Sequence, residues 1–457
     1  MSVRARFAPS PTGQVHIGNI RAAIFNWLFA RHAGGQFLLR IEDTDRERST
    51  PEALQAIITA MNWLGIEPDE PPLYQSARLS AHLAAAEQLL ASGHAYKDNK
   101  AGPPPRASGR PESSDQDSIA KGTCIVFKMP GTDITFHDEI KGLLRKKADD
   151  MKDFVIVRSN GTPVFHLANV VDDIAMGITH IIRGDDHIEN TYRHAAIFQA
   201  LAAPVPKYAH LPMIVNAQGK PYSKRDGAAF VGEFREKGYL AEALFNYLAL
   251  LGWSPGDDRE ILSRDEMICL FEIAKVKSAP AQMDLEKLSW MNGEYIKALP
   301  AERLAEECRR VLAERGLWNA GLEAGYVAAV FELMRGRIKI FPDIAALGAF
   351  FFTEDYPYNE DAVKKRLLKG DLIARVLELN ERFKKLEKFN AATSEQALRE
   401  YGDKSGVGAG PLIHAVRVAV SGLAMGPGLF DMLNVLGQER VVARIPRTAE
   451  KYSGKMN

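Results

Sequence analysis

The strongest constraint on this chain's fold lies in the order of its first segments. Residues 3 to 8 form a short strand-like run, and Pro9 to Gly18 pack two prolines, a serine, a threonine and two glycines around His16. Ile20, Ile24 and Leu28 then recur at helical spacing until Gly34-Gly35, and a second apolar run, Phe37 to Ile41, passes straight into Glu42, Asp43 and Asp45. Strand, helix and strand with a polar cluster after each strand predict a parallel α/β sheet. Its binding site is expected at the carboxyl ends of the strands.

Helical patterns follow at 52–65 and 78–93. The run from Asp98 to Ser118 is rich in Pro, Gly, Ser and charge, which predicts a mobile loop or part of an insertion. Strand-like segments return around Cys124 and Phe154, and Thr179 to Leu201 again reads strand, acidic turn, helix. The sheet therefore resumes after an inserted subdomain at 98–155, which is too long for a plain loop. After Gly227 the pattern is mostly helical, and from Leu304 onward no alternating strand pattern appears, so two helical bundles are expected there. A chain of 457 residues is too long for one ordinary core. The expected divisions are 1–97, 98–155, 156–227, 228–302 and 303–457.

Composition narrows the class without naming a function. Hydrophobic content of 46% and charged content of 25% are those of a soluble globular protein. No apolar run is long enough to span a bilayer and the first residues lack a secretory core, so no membrane partner and a cytoplasmic location are expected. A formal net charge of zero neither announces nor excludes nucleic acid, because a local basic face can bind phosphates on a neutral protein. Cys124, Cys269 and Cys308 lie far apart with no Cys or His at zinc-ligand spacing, which predicts inert or buried thiols and no zinc site.

Two stretches point to phosphate chemistry. A helix N-terminus presents unpaired N–H groups, so Gly13 and Gly18 would admit phosphate oxygens while His16 donates a hydrogen bond. Gly219 to Gly227 sets Ser223, Lys224 and Arg225 in a glycine-bounded loop, where cations can close on a triphosphate and neutralise a departing pyrophosphate. Arg183 follows the apolar pair Ile181-Ile182 at a strand's carboxyl end, a place suited to clamping a carboxylate. The acidic groups Glu42, Asp43, Asp45, Asp172, Asp173, Asp185 and Asp186 are open to solvation or capping roles as well as to function.

Taken together these blocks resemble the bacterial-type glutamyl-tRNA synthetases, a family of class I aminoacyl-tRNA synthetases. Arg6 to Asn19 is similar to the family's first signature and Ser223 to Gly227 to its second. Arg40 to Arg48, His166 to Asp173, Asp284 to Ile296 and Arg417 to Ile445 resemble later blocks in the family's order. The resemblance implies a Rossmann-type catalytic domain at 1–97 and 156–227, interrupted by a connective subdomain for the tRNA acceptor end at 98–155. A stem-contact region at 228–302 and an all-helical anticodon-binding region at 303–457 would follow. It also implies ATP, with Mg2+, and L-glutamate as substrates, tRNA(Glu) as partner, and a monomer. No dedicated metal ligand is assigned.

Carried over by residue, the resemblance implies that Arg6 and Arg183 bind the substrate's side-chain carboxylate. Ser10, Glu42 and Asn169 would hold its α-carboxylate and α-amino ends, with Phe165 lining the pocket. His16, Gly18, Asn19, Ser223, Lys224 and Arg225 would serve ATP, with His16 and Lys224 acting in catalysis. The chain departs from the family pattern in three places: Asn19 replaces a second histidine, Pro221 replaces the loop's first lysine with Lys220 one residue earlier, and Phe165 replaces a frequent tyrosine. The glutaminyl enzyme would carry β-barrels where this chain is helical, and the short tRNA-modifying paralogue lacks the second half. A non-catalytic tRNA-binding paralogue, or an enzyme that also charges tRNA(Gln), remains as an alternative at this point. Basic segments at 335–341, 364–369 and 382–388 are candidate phosphate contacts or solvated helix faces.

Overall fold

In the computed structural model, which describes residues 2–45, 47–99 and 123–453, β1 (Arg4–Phe7) leads through α1 (Ile17–His32) to β2 (Gln36–Ile41). β1 and β2 pair in parallel from Arg4 opposite Gln36 to Phe7 opposite Leu39. Helix α1 is packed almost all round, with Ile17, Ile20, Ile24, Phe25 and Leu28 buried. Helix α2 (Pro51–Trp63) starts where the Thr50 side chain accepts from the Ala53 N–H at 3.1 Å with Pro51 at the first position, so its start is set by local capping chemistry.

The remaining strands are β3 (Leu73–Tyr74), β4 (Ala95–Asp98), β5 (Cys124–Phe127), β6 (Ile134–Asp138), β7 (Gly142–Lys146), β8 (Phe154–Val157), β9 (His180–Gly184) and β10 (Lys207–Leu211). They alternate with α3 (Leu79–Ala91), α4 (Phe165–Ala175) and α5 (Ile188–Ala200). The large sheet runs β3-β2-β1-β9-β10-β6-β7, parallel except for β7 at its edge. Chain direction diverges at β1, with β2 on one side and β9 on the other. The carboxyl ends of β1, β2 and β9 therefore border the crevice in which such sheets bind ligands.

The segment 98–155 contributes to two sheets. β5 joins β4 and β8 in a small antiparallel sheet, while the β6–β7 hairpin returns to the large sheet through Asp138 opposite Tyr208. The reason is visible in β6, where Ile134, Phe136 and Asp138 are buried and Thr135 and His137 are exposed, so one face feeds the main core. Of the Pro/Gly-rich run from Asp98 to Ser118, expected to be a mobile loop or part of an insertion, residues 100–118 lie outside the described residues.

This sheet belongs to a unit formed by the residues up to Glu236 with Ala241–Leu285. It adds a two-strand pair, β11 (Ile214–Val215) with β12 (Ala281–Gln282), the second of which falls where the sequence pattern reads as mostly helical. Two-residue strands carry too little periodicity to be legible. Helices α6 (Val231–Glu236), α7 (Ala241–Leu250) and α8 (Arg264–Leu270) complete it, with α7 and α8 packed on α1.

The second unit comprises Lys237–Leu240 and the residues from Glu286 onward. Among its described residues its regular elements are all helices, as the sequence pattern implies. Helix Ala301–Glu314 buries Leu304, Cys308, Val311 and Leu312, and helix Gln438–Tyr452 buries Arg444, whose guanidinium donates to the carbonyls of Val420 at 3.1 Å and Phe350 at 2.8 Å. Helix Ala409–Ser421 ends at Gly422 with φ +74°, where an added Cβ would lie 2.6 Å from the Pro357 carbonyl oxygen. Gly422→Ala is expected to cost about 2 kcal/mol or more, from left-handed strain plus the clash. Urea denaturation of the full chain checks this, and an unchanged midpoint for the helical unit would refute it.

Candidate active site

The junction between β1 and α1 commits its helix-end donors inside the protein. His16 is the N-cap, and its Nδ1 accepts from the Gly18 N–H at 3.1 Å, so the ring carries its proton on Nε2. A Cβ at Gly18 would lie 3.3 Å from that nitrogen, so the glycine makes room for the imidazole. The Ile17 N–H donates to the Ala229 carbonyl at 2.9 Å, and the Val231 N–H donates to the Val15 carbonyl at 3.0 Å. These two bonds bind the junction to the segment just after the Gly219–Gly227 loop. Burial lowers the His16 pKa, against a hydrogen bond to the Tyr222 backbone, so the ring is neutral at pH 7. Asn19 is exposed on the first turn.

The loop is organised by two residues that sequence reasoning did not single out. Asp226 Oδ2 accepts from both the Ser223 N–H and hydroxyl at 2.9 Å, and Asp226 Oδ1 accepts from Asn216 Nδ2 at 2.7 Å. Asn216 Oδ1 in turn accepts from the N–H groups of Gln218 and Lys220 at 3.0 Å each. The hydrogen bonds of Asn216 and Ser223 hold the Asp226 carboxyl below its usual range. Ser223 is thus a loop-folding residue in this state. Lys224 and Arg225 are exposed, and Lys224 Nζ stands 3.9 Å from Glu233. Glu233 also caps α6 by accepting from the Ala229 and Phe230 N–H groups at 2.8 and 3.2 Å.

A buried ionic pocket lies at the strand ends. Asp173 of α4 accepts from Arg6 Nε at 3.1 Å and from Arg40 Nη1 in a short contact. Glu42 Oε1 accepts from Arg40 Nη2 at 3.0 Å and from Asn169 Nδ2 at 2.7 Å, while Asn169 Oδ1 is buried with no partner. The Glu42 N–H donates to the Pro9 carbonyl at 3.0 Å, which sets it beside the exposed Ser10. Burial raises the Glu42 pKa, against the pull of Arg40; burial would also raise that of Asp173, but Arg40 and Arg6 hold it below its usual range. Arg183 is buried within reach of the charges of this pair and donates from Nη2 to the Thr191 hydroxyl at 2.6 Å and the His187 carbonyl at 3.2 Å. Its nearest ring partners are His210 Nε2 at 3.4 Å and His194 Nδ1 at 3.5 Å. Phe165 is half-buried at the start of α4, its ring centroid 5.5 Å from those of His166 and His194.

The structure thus brings Arg6, Glu42, Asn169 and Arg183 together, and separately joins the His16 junction to the loop of Ser223, Lys224 and Arg225. Arg40, the central cation of the pocket, carried no sequence signal because it reads as one residue of an apolar strand. Several acidic residues serve the fold: Asp43 accepts from the Ser76 N–H and hydroxyl at 2.8 and 2.6 Å, Asp172 from Gln75, Arg78 and His82, and Asp185 from Lys141 at 2.9 Å. Cys124 and Cys308 are buried, and burial pushes the Cys308 thiol up to about 12. Cys269 is exposed, on the short α8. Among the basic segments, Arg335 donates to the Leu299 carbonyl and pairs with Glu332, and Arg382 lies over the Tyr401 ring, whereas Lys364, Lys365 and Arg366 are exposed.

The histidines behind Arg183 give the pocket a pH dependence. Burial, with Arg193 and Arg183 nearby, pushes His166 down to about 4, and burial beside Arg183 holds His194 well below the usual value. Both folded values lie below the unfolded one of about 6.5, so as pH falls the unfolded chain binds protons first. Stability is full above about pH 6.5 and declines towards pH 4, by about 1.4 kcal/mol per pH unit for each histidine. Urea midpoints at pH 7, 6 and 5 should fall in that order, and His194→Gln should flatten the slope. A midpoint that does not change with pH would refute the assignment.

Comparison with known proteins follows the same lines. The family model described as tRNA synthetases class I (E and Q), catalytic domain, matches residues 2–103 and 107–290, and one described as anticodon binding domain matches residues 303–449. Glutamate–tRNA ligase 1 of Caldanaerobacter subterraneus is 40% identical, covering 97% of each chain. Glutamate–tRNA ligase 2 of Koribacter versatilis is 41% identical, covering 98% of each. The crystal structure of a glutamate tRNA ligase from Elizabethkingia meningosepticum, in complex with its amino acid, superposes with a TM-score of 0.85 at 32% identity, over 98% of this chain and 99% of that one. With a family model matched over most of its length and relatives of this identity end to end, the chain belongs to the class I tRNA synthetases of the E and Q kind.

Proposed function

We propose that the chain is a glutamate–tRNA ligase that joins L-glutamate to ATP as glutamyl-adenylate and transfers the glutamyl group to the terminal adenosine of tRNA(Glu). The carrying observation is the charge balance of the buried pocket. Three guanidinium groups, Arg6, Arg40 and Arg183, face two carboxylates, Glu42 and Asp173. The pocket therefore holds one positive charge in excess, which suits an amino acid with two carboxylates and one ammonium and disfavours its neutral carboxamide analogue. Full-length relatives named glutamate–tRNA ligase support the same reading.

In this reading Arg183 and Arg6 bind the side-chain carboxylate. Glu42 and the unpartnered Asn169 Oδ1 receive the ammonium, and Ser10 lies beside them. The α-carboxylate attacks the α-phosphate of ATP, and pyrophosphate leaves. His16 acts as a neutral donor: its Nδ1 is an acceptor, so its one proton is on Nε2 and turns from the Tyr222 backbone to ATP. Lys224 supplies the mobile positive charge. Its 3.9 Å pairing with Glu233 is at the surface, where such pairs are worth about 1 kcal/mol or less, so it is readily exchanged for phosphate. Gly18, Asn19, Ser223 and Arg225 frame that site, and Mg2+ arrives with the ATP phosphates. The helical unit takes the anticodon end of the tRNA, with the exposed 364–366 cations as phosphate contacts, and the enzyme works as a cytoplasmic monomer.

tRNA-dependent exchange of pyrophosphate into ATP tests the proposal. Exchange is expected with glutamate and not with glutamine, and its absence in the presence of tRNA(Glu) would overturn the reading. Lys224→Ala should lower exchange on the order of 100-fold, as loss of one transition-state charge contact does, with tRNA binding nearly unchanged. An unaltered exchange rate would remove Lys224 from the site.

A further inference from the structure

Arg6 and Arg40 each meet a carboxylate, but among the described residues no carboxylate lies within ion-pair distance of Arg183. Its surroundings are neutral acceptors instead: the His187 carbonyl, the Thr191 hydroxyl, His194 Nδ1 and His210 Nε2, with the Tyr208 ring beneath it at 5.6 Å. A guanidinium only donates, so both ring nitrogens that face it must be unprotonated. For His210 the reason is structural. Its Nδ1 lies 2.6 Å from Asp138 Oδ2, which fixes the proton on Nδ1 and leaves Nε2 as an acceptor for Arg183 and for the Thr191 hydroxyl at 2.9 Å. Asp138 is itself anchored by the N–H groups of Ile140 at 3.0 Å, Lys141 at 2.8 Å and His210 at 3.1 Å, so the inserted β6–β7 hairpin sets the tautomer of a histidine on β10. For His194, the guanidinium at Nδ1 leaves the ring's one proton to Nε2, which faces His166 Nδ1 at 3.2 Å.

A buried cation held only by neutral dipoles keeps its charge available, whereas one already paired with a carboxylate does not. We propose that Asp138 and His210 are positioning residues that hold Arg183 as an oriented, uncompensated cation, and through it set the preference for a substrate bearing a side-chain carboxylate. This rests on the reading of Arg183 as a carboxylate clamp. Burial lowers the Arg183 pKa to about 10, which still leaves it charged at pH 7, and the fields of Asp173 and Glu42 reach it without neutralising it.

Pyrophosphate exchange on the full chain with tRNA(Glu) tests this through the split between KM and kcat. His210→Met removes the acceptor at similar volume, and should raise KM for glutamate roughly 10- to 100-fold, the range that loss of a hydrogen bond to a charged group gives. KM for ATP should be unchanged, and the preference over glutamine should fall by the same factor. His210→Gln, whose amide oxygen can occupy the Nε2 position, should recover most of the loss. Asp138→Asn should raise KM for glutamate when residue 210 is histidine but add little to His210→Gln, because the glutamine has no ring tautomer to set. A fall in folded fraction lowers apparent kcat and leaves KM alone, so a purely structural role is separable. Equal losses in His210→Met and His210→Gln, additive effects of the two sites, or an unchanged KM for glutamate would overturn the inference. Absence of any exchange in the unsubstituted chain would overturn the underlying glutamate reading instead.

Discussion

The pocket depends on one buried carboxylate. Asp173 sits on α4 and reaches Arg6 on β1 and Arg40 on β2, so a single side chain ties the helix to two neighbouring strands. Its burial would be prohibitive alone, and removing one partner of such a cluster typically costs roughly 3–5 kcal/mol. The ionic contact that holds α4 to the sheet is therefore also the one that aims Arg6, places Arg40 against Glu42 and sets Asn169 on the inner face. Fold and site share the same bonds there.

Away from that pocket, the chain arranges its phosphate-directed elements differently. The helix-end donors of α1 are spent internally, on His16 Nδ1 and on Ala229, and Asp226 holds the Ser223 hydroxyl. What stays exposed is cationic, Lys224 and Arg225. A rigid junction braced by backbone bonds to the segment after the loop thus carries mobile charge on weak surface contacts. On the proposed reading the amino-acid pocket is preorganised and the ATP end is adjustable, which suits a reaction in which one substrate's phosphates change charge and depart.

Much of this was legible in order and spacing. The strand–helix–strand opening is visible because two short strand-like runs, buried continuously as parallel strands covered on both faces are, flank a longer apolar segment bounded by glycines, and the helical second unit because its helices repeat apolar positions at three and four. The β6–β7 hairpin was hidden by its position inside an apparent insertion, although Ile134, Phe136 and Asp138 alternate as a half-buried strand should. Arg40 was invisible for a deeper reason. A charged residue inside an apolar strand announces nothing until its partner, 133 positions away at Asp173, is placed beside it by the sheet. Asn216 and Asp226 escaped for the same reason on a smaller scale, since their contribution is a closed set of loop hydrogen bonds rather than a chemical group aimed at substrate.

The contrast among the three arginines sharpens what selectivity requires here. Arg6 and Arg40 are neutralised in place, so they contribute shape and hydrogen-bond direction more than net charge. Arg183 is surrounded by groups that can accept its hydrogen bonds but cannot cancel its charge, and Asp138 acts on it only through His210. Moving Asp138 one step closer would convert the clamp into another internal ion pair and leave the pocket without its surplus. Interposing a histidine whose tautomer is fixed by that carboxylate keeps the guanidinium oriented and leaves the charge for the ligand. On this argument the inserted hairpin, which sequence pattern assigns to a separate subdomain, is part of the amino-acid site.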